Sequence, residues 1–105
     1  MAFTGKEKHA ISLTDAGKIT GNFRKKATSG GAVVGHFFGA ETVKKILAQE
    51  GCVGIRIYYA AKDDGSPTLV MVGADADEND LVNGEIAEWP LPCPPFCGVS
   101  NSLNS

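Results

Sequence analysis

Few residues in this chain have side chains able to do chemistry. Cys52, Cys93, Cys97, His9 and His36 are all of its cysteines and histidines. Cys93 and Cys97 stand in the segment WPLPCPPFCG, separated by Pro-Pro-Phe. Run as polyproline II, that spacing would hold the two cysteines about 12 Å apart. A disulfide needs Cα atoms roughly 4.4 to 6.8 Å apart, and two ligands of one zinc ion need similarly close sulfurs. Any joint role therefore requires a turn at Pro94 and Pro95. Three uses fit the segment: packing of a structural tail, a disulfide, or half of a zinc site completed by Cys52, His36 or His9. Tail packing comes first, because prolines lose little entropy when ordered and two of them inside C-x3-C do not build an activating helix N-terminus. In that reading Trp89, Leu91 and Phe96 are the anchors, and the polar stretch GVSNSLNS is disordered unless something holds it.

The other motifs are weaker. Cys52 and His36 could form a nucleophile–base pair only if the fold brought them together, and no surrounding signature supports catalysis. Asp75, Asp77, Asn79 and Asp80 resemble the opening of a calcium loop. The sixth position, where the sharp turn needs glycine, is Asp80, and the twelfth, where a bidentate glutamate belongs, is Ile86. A weak divalent-ion site is one reading of this loop; a solvated turn with Asp and Asn bonding locally is the better one. The stretch SGGAVVGHFFG lacks both the P-loop and the G-x-G-x-x-G frames. Arg24, Lys25 and Lys26 have no interleaved aromatic residues, so nucleic-acid binding is not expected.

These residues must be positioned by a small set of elements. Ser12 can cap a helix in SLTDAGKITGNFRKKA, with Asp15 in its first turn and the three basic residues in its last. Leu13, Ala16, Ile19, Phe23 and Ala27 mark its apolar face, while Gly17 and Gly21 each weaken it by about 1 kcal/mol relative to alanine. A loop is expected over residues 28–31 and a short strand over residues 32–38. AETVKKILAQEG predicts a second helix with Val43, Ile46 and Leu47 on one face and Gly51 near its end. The period then changes to two: Val53, Ile55, Ile57 and Tyr59 share one face, Arg56 and Tyr58 the other. DDGSP is a turn cluster, and TLVMVGAD is a strand apolar on both faces, which predicts a β-hairpin over residues 53–74 with a covered second strand. EIAEW predicts one more short strand, after which the prolines should prevent regular structure.

The expected fold is a single α+β domain over residues 1–105: two helices on a small antiparallel sheet, a loose arm at 1–11 and an irregular proline- and cysteine-containing tail at 90–105. The chain carries 43% hydrophobic and 21% charged residues, the balance of an ordinary globular domain. No stretch is apolar enough for a membrane span, and no signal-peptide core follows the N-terminus, so the cytoplasm is the default compartment, unconventional export aside. Residues 1–50 carry eight Lys or Arg against four Asp or Glu, and residues 51–105 carry two against eight, giving +4 and −6. Such a split allows head-to-tail stacking of copies, although interleaving of the halves in the fold is the commoner outcome.

The blocks ILAQEGCVGIRIYYA, VMVGADADENDL and PCPPFC resemble a group of small bacterial proteins that pair a Gly-Cys-Val-Gly strand with a C-terminal Cys-Pro-Pro-x-Cys. The resemblance covers roughly residues 37–105 and implies that strand, acidic loop and tail form one unit. It implies no activity. The expectation is a non-enzymatic, self-associating structural module without cofactor, its partner another copy of itself or another protein. The alternatives are a metal- or thiol-dependent protein using Cys93 and Cys97, and an accessory protein that binds a partner through a strand edge.

Overall fold

The structure, a computed structural model, describes residues 2–26 and 32–105. The loop expected over residues 28–31 and Ala27 lie outside the described residues. The fold is α+β: helices α1 (Leu13–Lys26) and α2 (Ala40–Leu47), and strands β1 (Gly35–Phe37), β2 (Gly54–Ala61), β3 (Pro67–Ala74), β4 (Ile86–Ala87) and β5 (Leu91–Cys93). All pairing is antiparallel, in two sheets ordered β2-β3-β4 and β1-β5. The chain groups into two compact units. One comprises residues 1–7 and 38–90, the other residues 8–37 and 91–105.

The first unit is built on the expected hairpin. Gly54 pairs with Ala74 and the register runs without slip to Ala61 opposite Pro67. Gly65 takes φ +88 in the connecting turn, where a side chain would be strained. The strand that reads apolar on both faces, β3, is the central one, and it contributes Met71, Val72 and Ala74 to the buried core. Ile46 of α2 is buried with them and is fully enclosed. The helix ends at Leu47, and Gly51 follows in the left-handed region at φ +80 within a turn closed by Cys52 N–H to the Gln49 carbonyl. The N-terminal arm is docked rather than loose: Phe3 donates its N–H to the Ala76 carbonyl at 2.9 Å. Gly5 (φ +80) passes so close to the Val53 carbonyl that a Cβ there would sit 2.8 Å from it.

In the second unit, Ser12 caps α1 as its position suggests, its hydroxyl accepting the Asp15 N–H at 3.1 Å. The proline-rich segment does form a strand, contrary to expectation. Pro92 stands opposite His36, its carbonyl turned away from β1 to accept the Phe96 N–H, so the missing proline N–H costs the two-stranded ladder nothing. The terminal residues are also held. Arg24 of α1 donates to the carbonyls of Leu103 (2.5 Å) and Ser105 (3.2 Å), and the side chains of Asn101 and Asn104 close a turn around them.

This packing gives the two helix glycines opposite roles. A Cβ on Gly17 would fall 2.9 Å from the Ser102 carbonyl oxygen, whereas one on Gly21 would meet only the tip of Arg24 at 3.6 Å. Gly21→Ala is expected to raise stability by up to about 1 kcal/mol. Gly17→Ala is expected to forfeit that gain and to displace residues 99–105, seen as lost amide protection there. Urea denaturation and hydrogen exchange on the two variants check both halves of this expectation.

Candidate functional site

The turn required between Cys93 and Cys97 is present, and the two are joined in a disulfide with Cα atoms 4.8 Å apart. The Cys93–Pro94 and Pro94–Pro95 peptide bonds are both cis. Phe96 N–H to the Pro92 carbonyl and Cys97 N–H to the Pro95 carbonyl complete the turn. While this bond is closed neither sulfur is a thiolate, so neither can serve as a metal ligand or nucleophile. Cys52 belongs to the other unit. It is the free thiol, half-buried, and its S–H points to the Gly54 carbonyl at 3.2 Å. His36 lies on β1, in the unit that holds the disulfide. Among the described residues no three His, Cys, Asp or Glu side chains gather as a metal site would require.

The expected anchors do not anchor. Trp89 is 77% exposed, Phe96 59% and Leu91 45%. The tail is held instead by main-chain pairing of β5 with β1, by the disulfide and by Arg24. Trp89 adopts φ +66, an unusual conformation for a bulky residue. Glu88 stabilises this corner. Its carboxylate accepts the Thr68 hydroxyl at 2.9 Å and the Trp89 N–H, and these bonds hold its pKa below the ordinary carboxylate range, the backbone bond contributing most. The Lys62 ammonium lies 4.8 Å from the centre of the Trp89 ring, a cation–π contact.

The acidic loop uses its side chains on itself and on β2. Asp75 accepts the N–H groups of Asp77 (2.9 Å) and Asn79 (3.0 Å), an Asx-type closure. Asp80 pairs with Arg56 at 2.6 Å and accepts the Tyr58 hydroxyl. These two bonds hold the Asp80 carboxyl below its ordinary range, the tyrosine bond first, and raise both Tyr58 and Arg56. The Arg56 guanidinium also donates to the Glu78 carbonyl at 3.1 Å and lies 5.3 Å from the Phe3 ring centre. This arrangement fastens the arm, the loop and β2 together. Sequence reading misses it because Arg56 and Asp80 stand 24 residues apart with no motif linking them.

A cleft of about 530 Å³ opens between the end of α2 and the loop that leads from β3 into β4, lined by Lys45, Ala48, Gln49, Asn83, Gly84 and Glu85. Gln49 spans it, donating to the Ile46 carbonyl and accepting the Glu85 N–H, so its amide is already committed. Apolar exposure is the more conspicuous surface property. Leu13, Ile19 and Phe23 of α1 are each more than half exposed, and that helix has no buried residue. On β2, Ile57 is 50%, Tyr58 46% and Tyr59 93% exposed, so both faces of the strand are open there. Among the described residues no helix is long and apolar enough to cross a membrane. No family model, curated protein or solved structure matches the chain.

Two measurements check this geometry. Unreduced protein should have an intact mass two hydrogens below the reduced chain, with one titratable thiol after denaturation. The Cys93→Ser/Cys97→Ser variant should lose about 2 kcal/mol, the loop-closure term for so short a ring. A second expectation concerns acid. Glu7 closes the arm's turn by accepting the N–H groups of Thr4 and Gly5 and the Thr4 hydroxyl, and these bonds, the Thr4 backbone bond foremost, lower it from 4.5 to about 2. Because the folded value is depressed, its stabilisation is complete above pH 4.5 and is lost as pH falls through about 2. An NMR titration should show the Thr4 and Gly5 amides moving together with a midpoint near pH 2, and Glu7→Gln should abolish that step.

Proposed function

We propose that this chain is a non-enzymatic structural module that associates with further copies of itself. The observation that carries this reading is the uncovered apolar surface. Among the described residues the buried apolar side chains are Ile46, Met71, Val72, Ala74 and Pro90, whereas sixteen large ones are exposed. Scattered exposed apolar residues are normal on a monomer. Here several run together: Ile19 and Phe23 one turn apart on α1, and Ile57, Tyr58 and Tyr59 in succession on β2. Apolar area of that kind is what association removes from water, at roughly 25 cal/mol per Å². The charge division counted by unit supports the same reading: residues 8–37 and 91–105 carry five Lys or Arg against one Asp, the other unit five against eleven Asp or Glu, and opposite charges favour ordered contacts between copies over random ones.

A closed Cys93–Cys97 bond fits an oxidising compartment better than the reducing cytoplasm that the sequence suggests by default. It also gives the tail a fixed shape that survives dilution, which suits a structural part. An accessory role, with a different protein covering the apolar faces, draws on the same surface and differs in the identity of the partner.

Sedimentation equilibrium over a wide concentration range, on unreduced protein, tests the proposal. The expected result is a concentration-dependent rise in mass with far-UV dichroism unchanged. A single species of one-chain mass at every concentration overturns self-association and leaves the accessory role.

A further inference from the structure

We infer that copies join head to tail, the outward face of α1 on one copy seating in the cleft between the end of α2 and the β3–β4 loop of the next. This inference rests on the self-association reading and names both of its surfaces. One side of α1 is spent on the tail, since Gly17 meets Ser102 and Arg24 bonds the Leu103 and Ser105 carbonyls. The other side carries two neighbouring rows. Ile19 and Phe23, one turn apart, are each more than half exposed. Lys18, Asn22 and Lys26, also at four-residue steps, are exposed beside them. Among the described residues no hydrogen bond or ion pair holds the Lys18 or Lys26 ammonium. Asp15 is the one acidic side chain in this unit. An apolar row flanked by free ammonium groups calls for a partner that is acidic and has apolar surface of its own.

A lipid or nucleic-acid surface supplies negative charge, but binding it would also bring up the acidic unit of the same chain. That unit has five Lys or Arg against eleven Asp or Glu, and its repulsion reaches about 8 Å at physiological salt. With a second copy the same −6 becomes the attraction. Not every carboxylate there is available: Asp80 is bonded to Arg56 and Tyr58, Glu88 to Thr68, and Asp75 to its own loop. Glu50 and Glu85 are exposed, and among the described residues no bond engages either carboxylate.

These two free carboxylates stand at one place. Glu50 follows Gln49 directly, and Glu85 donates its N–H to the Gln49 side chain at 2.8 Å. Glu85 lines the 530 Å³ cleft and Glu50 an adjoining one of about 320 Å³, the two sharing Gln49, Asn83 and Gly84. Val82, an exposed apolar residue, lines the second. Gln49 is bonded at both ends of its amide, and Gly84 packs so close against that amide that no Cβ would fit. The receiving surface is therefore shaped before a partner arrives, which lowers the ordering cost of docking. Lys45, the one cation on its walls, has Glu41 four residues before it on α2. In the docked pair Ile19 and Phe23 meet the cleft and Val82, while Lys18 and Lys26 reach Glu50 and Glu85. The two surfaces differ, so each added copy leaves one of each open, and growth continues as a ring or an open chain. A two-turn helix face buries less than the roughly 1,600 Å² of a standard interface, so the contact is weak and assembly follows concentration.

The test reverses the charges. Lys18→Glu/Lys26→Glu and Glu50→Lys/Glu85→Lys alter exposed groups with no bonds to lose, and retained far-UV dichroism and melting temperature verify folding. In sedimentation equilibrium of unreduced protein at physiological salt, each variant alone should associate at least about tenfold more weakly than wild type, because like charges then face each other. Mixing the two should restore association, since each altered surface meets its opposite on the other variant. Phe23→Ser should weaken it, and Asp63→Lys/Asp77→Lys, an equal change in net charge outside the cleft, should leave it as in wild type. If wild type associates and either reversed variant does so equally well, or the mixture does not recover, these seats are overturned while self-association stands. A loss of association in the Asp63/Asp77 variant as large as in the Glu50/Glu85 variant overturns the cleft as the seat. If wild type never associates, both readings are overturned.

Discussion

The eight-pair ladder between β2 and β3 is the constraint on which the first unit depends. It places β3 where both of its faces are covered, and that one strand gives Met71, Val72 and Ala74 to the buried core. Ile46 of α2 completes the core from outside the sheet. The ladder also sets where Arg56 and Tyr58 stand, and from them hang the acidic loop and, through Phe3, the N-terminal arm. With so little apolar interior, register carries much of the specification. A slip of one residue would move Arg56 to the face of Ile57 and break its bond to Asp80.

The second unit solves a different problem. It has little apolar cover, and polar and covalent ties stand in its place: a three-residue strand pair, a disulfide, and an arginine that reaches from α1 to the end of the chain. Each is short in range and leaves its apolar neighbours in water. The exposed face of α1 and the exposed side chains of the proline segment thus share one cause, since the contacts that order this unit are made by main-chain and polar groups.

What could be read from the sequence follows the range of the interactions involved. The hairpin was legible because a period of two and the DDGSP turn are local, and the central place of β3 was legible because residues 68–74 are apolar on both faces. The Ser12 cap and the Asx closure at Asp75 are likewise local. β5 was not legible, because its partner β1 lies more than fifty residues away and proline argues against a strand unless the register hides its missing N–H. Gly17 reads as a helix defect until Ser102 is seen against it. At Cys93 and Cys97, spacing left three readings open, and only the folded turn separates them. Trp89 and Phe96 were assigned to packing by residue type, yet both rings stand mostly exposed.

The position of Trp89 has a spectroscopic consequence. It is the chain's one tryptophan, so all indole emission comes from a ring that is already largely in water beneath the Lys62 ammonium. Emission from such a ring lies near the solvent-exposed limit in the native state and has little further to shift when the chain unfolds. Intrinsic fluorescence would therefore be nearly blind to denaturation of this protein. It would respond instead to anything that settles on that corner and displaces water from the indole.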